Sequence, residues 1–269
     1  MPALNSAFSD LPATPRMPAL FIGHGNPMNA IEDNAYSRSW QTLGETLPTP
    51  RAILCVSAHW MTRGTTFVHV GNRPRTIHDF GGFPRQLFAQ QYAAPGAPDV
   101  AGAAMALVRQ SHIEPDLEWG LDHGAWSVLI RMFPKADIPV FQLSLDLSQS
   151  PSAHLGLASE LKPLREKGVL VIGSGNLVHN LQALAPGGRV YDWAQDFDTR
   201  MAALIEARDF RGVAHAGSQG RVAMLAHPTP EHFLPVLFPL GVADVADELR
   251  FFNASFDMAS ISMRSFVLS

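Results

Sequence analysis

Val169–Asn180 reads VLVIGSGNLVHN, and the fold follows from it. Four apolar residues run without polar alternation and stop at Gly173-Ser174-Gly175. A strand with one wet face alternates polar and apolar residues, whereas an unbroken apolar run is buried on both faces. The same pattern recurs outward along the chain. Pro18–Ile22 runs into Gly23-His24-Gly25, and Ala52–Val56 runs into Ser57-Ala58-His59-Trp60. Pro139–Leu145 runs into Asp146, and Arg221–Leu225 runs into Ala226-His227-Pro228. Thr65–Val70 is a weaker, alternating strand, and Ser260–Leu268 supplies a last one. Between these runs, Asn34–Leu47, Asp99–Ser111, Ser152–Lys167 and Trp193–Ala207 have helical spacing, with Asp99 placed to cap its segment. His232–Leu240 is too apolar to be exposed. Strands alternating with helices predict an α/β fold: a single domain with a mainly parallel central sheet flanked by helices. In such sheets ligands sit beyond the carboxyl ends of the strands, so the polar tails of the apolar runs are where chemistry is expected.

Composition narrows the class. The chain has 269 residues, 46% of them hydrophobic and 16% charged, enough apolar material for a large core and too much for general disorder. Net charge is −4, with no run of Lys or Arg, which argues against nucleic acid as a partner. No stretch reaches the roughly 18 apolar residues of a membrane span, and the first residues do not read as a secretory signal. The lone Cys55 lies inside an apolar run, so a buried reduced thiol in a cytoplasmic protein is expected. Residues 1–16, rich in Ala, Pro and Ser, read as a flexible N-terminal arm, leaving 17–269 as the domain, a monomer or small homo-oligomer.

Eleven histidines are the distinctive feature. His24, His59 and His179 follow three of the apolar runs, and His232, in HPTPEHFLP, follows the Arg221–Leu225 run. Neighbouring strands would gather the four imidazoles at one rim. One buried histidine is ordinarily a hydrogen-bonded core residue; four at equivalent positions predict a metal site. Three His, or two His with a carboxylate, leave open positions that suit Zn(II) hydrolysis or Fe(II) oxygen chemistry. Glu231 is the rival carboxylate to His232, and His227 is a weaker candidate. Thr76–Pro84 (TIHDFGGFP) reads either as a lid over a flat substrate or as a surface loop packed by Phe80 and Phe83. His123, between Trp119 and Trp126 in a Gly-punctuated turn, reads either as a core histidine held by a backbone carbonyl or as a residue that binds a substrate oxygen, and its setting favours the second. His69, His112, His154 and His215 read as structural or solvent-exposed; Arg38, Arg63, Arg73, Arg75 and Arg85 read as scattered and solvated, with Arg73 or Arg75 alternatively a partner for a substrate carboxylate. HExxH, GxSxG, paired-Cys and GK[ST] motifs do not occur.

GHGNPM, SAHW, TIHDFGGFP, DHGAW, GSGNLVHN and HPTPEHFLP, in that order from about Met17 onward, resemble the class III extradiol ring-cleavage dioxygenases, above all the 4,5-DOPA dioxygenase extradiol branch. The resemblance implies one non-haem Fe(II) at the strand ends, with Zn(II) a second occupant as isolated. It implies His24, His59 and His232 as ligands, with Glu231 as the alternative third. His179 becomes the acid–base residue or a fourth ligand, and His123 and His78 line the substrate pocket. The implied reaction opens a DOPA-like or other small catechol with O₂ to a muconic semialdehyde. Two alternatives stand beside it: a Zn(II)-dependent hydrolase on the same scaffold, and a non-catalytic descendant that binds metal or an aromatic ligand.

Overall fold

The computed structural model describes residues 8–216 and 220–269. Six strands form the central sheet: β1 (Ala19–Gly23), β2 (Ala52–Ser57), β3 (Val140–Gln142), β4 (Val169–Gly175), β5 (Leu249–Phe252) and β6 (Ser265–Leu268). Their order across the sheet is β5-β6-β1-β4-β2-β3. The β1–β4, β4–β2 and β2–β3 pairs are parallel, and only β6 runs against its neighbours. The expected mainly parallel α/β architecture is therefore the one observed.

Alternate residues of the apolar runs feed two separate cores, which explains why those runs never alternate in polarity. Phe21, Leu54 and Val171 point to one side; Ile22, Cys55 and Ile172 point to the other. Helices α1 (Ala35–Thr46) and α3 (His123–Met132) cover the second face with Trp40, Leu43, Trp126 and Leu129. The first face is covered by α2 (Pro98–Leu107), α4 (Pro151–Glu160), α5 (Asp192–Glu206) and α8 (Leu237–Gly241). Helices α6 (Phe210–Ala216) and α7 (Gly220–Ala226) follow α5 along the chain.

Two local expectations are corrected. Arg221–Leu225 is not a strand but the body of α7, turning Ala223 and Ala226 inward while Met224 is exposed, a helical spacing. Asp99 is not the cap of α2: Ala97 holds that position, Pro98 opens the helix and Asp99 sits in its first turn. Segment 1–16 is described only from Phe8 onward, and that part contacts the stretch before β4. Lys167 Nζ sits 4.9 Å over the Phe8 ring and donates to Leu11 O, and Thr14 N donates to Glu166 O. Nearby, the fully buried Arg165 guanidinium donates to Asp247 and to the carbonyls of Met17, Val242 and Leu268, clamping the start of β1 to the end of β6.

Register fixes the site. Gly23 of β1 pairs with Gly175 of β4, and Ser57 of β2 pairs with Ser174, so three adjacent strands end level. His24 N continues the ladder to Gly175 O. His59 lies two residues past β2 and His179 four past β4. His232 reaches the same rim from the turn before α8, where Asn176 N donates to its carbonyl. That approach requires glycine at 175, since a Cβ there would overlap His232 O.

Candidate metal centre

His24, His59 and His232 form a near-equilateral triangle, with ring centroids 5.2, 5.3 and 4.9 Å apart. The outer nitrogen of each ring is held by an oxygen. Ser174 Oγ donates its only proton to Gly124 O at 2.5 Å, so at 3.0 Å from His24 Nδ1 it must accept. His24 therefore carries its proton on Nδ1 and turns a bare Nε2 inward. Asp79 Oδ2 lies 3.3 Å from His59 Nδ1 and 2.9 Å from His123 Nδ1, while Asp79 Oδ1 accepts from His123 N. Burial works to raise the Asp79 pKa, but the hydrogen bonds and charge of His123 and the charge of His59 outweigh it and hold Asp79 below its ordinary value. An ionised carboxylate only accepts, so it too fixes the Nδ1–H form of its histidines. Glu231 Oε1 performs the same office for His232 Nδ1 at 3.2 Å and is itself steadied by Thr229 Oγ1 at 2.7 Å.

The consequence is a close meeting of lone pairs: His24 Nε2 and His59 Nε2 face each other at 3.3 Å. Neither holds a proton to share. Burial above all, then the neighbouring imidazoles, push His24 and His232 well below the usual histidine range, and burial and His123 take His59 to about 3. Two buried acceptors at that distance repel unless a cation lies between them. Nitrogens about 2.1 Å from one ion at a tetrahedral angle would be about 3.4 Å apart. The donor set therefore fits a divalent metal held by neutral imidazoles, each oriented by a second hydrogen bond.

The remaining predicted residues take different positions around the triangle. His179 comes to the rim but stacks flat on His232, centroids 3.4 Å apart and planes 5° apart, so its in-plane lone pairs run alongside those of His232. Burial holds its pKa at about 4. His123 lies 3.8 Å from His59, and ligating atoms of His24, His59 and His123 fall within 4.8 Å of one another. Atoms of His179, Glu231 and His232 form a second such group. His78 is not a lining residue: its Nε2 is taken by Gln90 O at 2.9 Å and its ring packs on Trp126 and Phe80. Its neighbour Asp79 is the residue of that loop that reaches the imidazoles. Phe80 and Phe83 line the cavity and also pack on each other at 5.3 Å. His227 stays with Phe197 and Phe233, outside the cluster, and neither Arg73 nor Arg75 lines the cavity.

Sequence reading passed over Asp79, Ser174 and the buried Ser57–Asp122–Gln142 chain. Asp122 caps α3 through Ala125 N while accepting from Ser57 Oγ at 2.6 Å and Gln142 Nε2 at 2.8 Å. Burial and the charge of Asp79 raise its pKa. Ser57 Oγ in turn accepts from His59 N at 3.2 Å. For Ser57 and Ser174 the sequence offers no more than a place in the strand tails SAHW and GSGN. The imidazoles floor a cavity of about 400 Å³, a size suited to a small molecule, with apolar walls that include Phe80, Leu181 and Ile261.

Residues 18–267 match the family described as the catalytic LigB subunit of aromatic ring-opening dioxygenase. The chain belongs to this family. Among LigB-family relatives it is 45% identical over 257 residues to a 4,5-DOPA dioxygenase extradiol of Escherichia coli (strain K12), covering 93% of this chain and 94% of that one. It is 36% identical over 253 residues to the Beta vulgaris protein of the same name, covering 91% and 94%. A crystal structure of an uncharacterised Escherichia coli K12 protein superposes with a TM-score of 0.79 at 39% identity, covering 94% of this chain and all of that one. The protein is a class III extradiol ring-opening dioxygenase, and its histidine cluster is able to bind the metal on which LigB enzymes depend. Among the described residues, no helix is long and apolar enough to cross a membrane.

Proposed function

We propose that residues 17–269 form a catalytic domain that uses Fe(II), held by His24, His59 and His232, to open the ring of a small catechol with O₂ and yield a muconic semialdehyde. The reading rests on one observation, the bare Nε2 atoms of His24 and His59 facing each other at 3.3 Å with their outer nitrogens already committed. The relatives named for 4,5-DOPA make DOPA the first substrate to try. When bound, Fe(II) supplies a redox-active Lewis acid with positions open to both diol oxygens and to O₂, chemistry that zinc lacks.

The protein's own groups do the rest. The apolar walls, with Phe80 and Phe83 over the floor, hold the flat ring and keep water from the reacting carbon. His179, neutral at pH 7, is placed to take a diol proton as the catechol binds and to return it when the O–O bond breaks, a role typically worth about 10²–10⁴-fold in rate. His123, tied to Asp79 through Nδ1, keeps Nε2 available to hydrogen-bond oxygen beside the ring. Glu231 orients His232 rather than replacing it as ligand.

The test is an oxygen electrode with anaerobically loaded protein. Fe(II)-loaded enzyme given L-DOPA should consume one O₂ per catechol and form a yellow product, and the Zn(II)-loaded enzyme should do neither. Failure of iron-loaded enzyme to consume O₂ with DOPA, protocatechuate or a simple alkylcatechol would refute the assignment.

A further inference from the structure

The cavity has one acidic side chain in its wall. Asp257 lines it, and no Lys or Arg does. Among the described residues, no Lys, Arg or His forms an ion pair with this carboxylate, although it is only partly exposed. Burial raises its pKa, the mark of a carboxylate drawn out of water without a cation to compensate.

Backbone register fixes where Asp257 sits. It pairs antiparallel with Ile261, and Ile261 bridges antiparallel to His179. Directly opposed residues share a face, so Asp257, Ile261 and His179 all point into the same cavity, which each of them lines. Two strand spacings of about 4.8 Å put the Asp257 backbone about 10 Å from that of His179. That span matches a catechol whose diol is at the imidazole floor and whose two-carbon arm reaches across Ile261. The left-handed backbone at Met258 (φ 48°) and Ala259 (φ 67°) turns the chain just past Asp257 and fixes its approach.

Building on the ring-cleavage reading, we infer that Asp257 is a specificity-determining residue that selects catechols bearing a cationic ammonium on a two-carbon arm and disfavours those ending in a lone carboxylate. A zwitterionic arm meets Asp257 through its ammonium and leaves its carboxylate at the mouth. An unopposed carboxylate arm of the same length faces a like charge with no cation among the lining side chains.

The experiment is equilibrium binding to Zn(II)-loaded protein, which retains the ligand without turning it over. The probes are dopamine, 3-(3,4-dihydroxyphenyl)propionate and 4-ethylcatechol, which share a two-carbon arm and differ in the charge at its end. Wild type should bind dopamine at least tenfold tighter than the propionate, with ethylcatechol between, the scale of one part-buried charge-assisted contact. Asp257→Asn should bring the dopamine-to-propionate ratio down by roughly five- to twentyfold, and Asp257→Glu should restore part of it. Equal binding of all three probes by wild type overturns the inference while leaving ring cleavage standing. Binding of none of them overturns both. A wild-type preference that survives Asp257→Asn unchanged overturns the assignment to Asp257.

Discussion

Replacing Asp79 with asparagine swaps one carboxylate oxygen for an NH₂ group and leaves the side-chain shape nearly unchanged. In the wild type those two oxygens serve three partners: His59 Nδ1 at 3.3 Å, His123 Nδ1 at 2.9 Å and His123 N at 2.9 Å. Both imidazoles meet the same atom, Oδ2, while Oδ1 accepts from His123 N, so the amide keeps its oxygen on that backbone N–H and turns its NH₂ toward both rings. Each imidazole would then face a donor, and the His59 proton would be free to move to Nε2, where it blocks the inward lone pair. Losing the charge-assisted hydrogen bonds to the two rings costs about 1.5–3 kcal/mol. Expressed as affinity, that is about 10- to 100-fold, the usual range for an outer partner of a metal-bound histidine. The assay is competition for Zn(II) and Fe(II) against a chromophoric chelator at pH 7.5, with circular dichroism confirming the fold. A dissociation constant within twofold of wild type would refute the claim that Asp79 sets the tautomer of His59.

Three further outcomes follow from the same geometry. Gly175→Ala would drive a Cβ into the carbonyl of His232, so metal titration should show loss of the site in protein that still gives a native-like spectrum; full occupancy would contradict the close approach. His179→Gln should keep stoichiometric metal and lose at least 100-fold in kcat for catechol cleavage, because the residue moves a proton and is stacked beside the triangle rather than part of it; loss of metal would instead make it a fourth ligand. The third concerns acid stability. His154 is buried beside Phe238, and burial takes its pKa to about 4. Above about pH 6.5 it is neutral whether folded or unfolded and contributes no pH dependence. As pH falls from about 6.5 towards 4, the unfolded chain binds a proton that the folded one refuses, so stability drops by up to roughly 3 kcal/mol and then levels off. Urea unfolding of His154→Leu should show a correspondingly shallower loss between pH 7 and 4, and parallel curves for the two proteins would rule the mechanism out.

Strands buried on both faces write themselves into the sequence as unbroken apolar runs, and β1, β2 and β4 are readable for that reason. Their polar tails follow directly, which is why His24, His59 and His179 could be placed at one rim before any coordinates. Arg221–Leu225 misleads because five residues cannot separate a short strand from a short helix by periodicity alone. His232 therefore reaches the rim by a different route, its carbonyl anchored to Asn176 N beyond the end of β4. In the loop TIHDFGGFP, the sequence shows that something is built there but not whether His78 or Asp79 turns inward; packing of the His78 ring on Trp126 decides it. Ser174 is hidden differently, as a small polar residue whose partners, His24 and Gly124, are distant in the chain. Asp257 depends on a register across three segments that no local pattern encodes.

The most direct measurement is an anomalous-scattering map at the iron edge from crystals of anaerobically Fe(II)-loaded protein. One peak about 2.1 Å from the Nε2 atoms of His24, His59 and His232, with His179 beside it and outside bonding distance, is the predicted result. A peak on Glu231 in place of His232, or no peak within reach of all three imidazoles, would contradict the account.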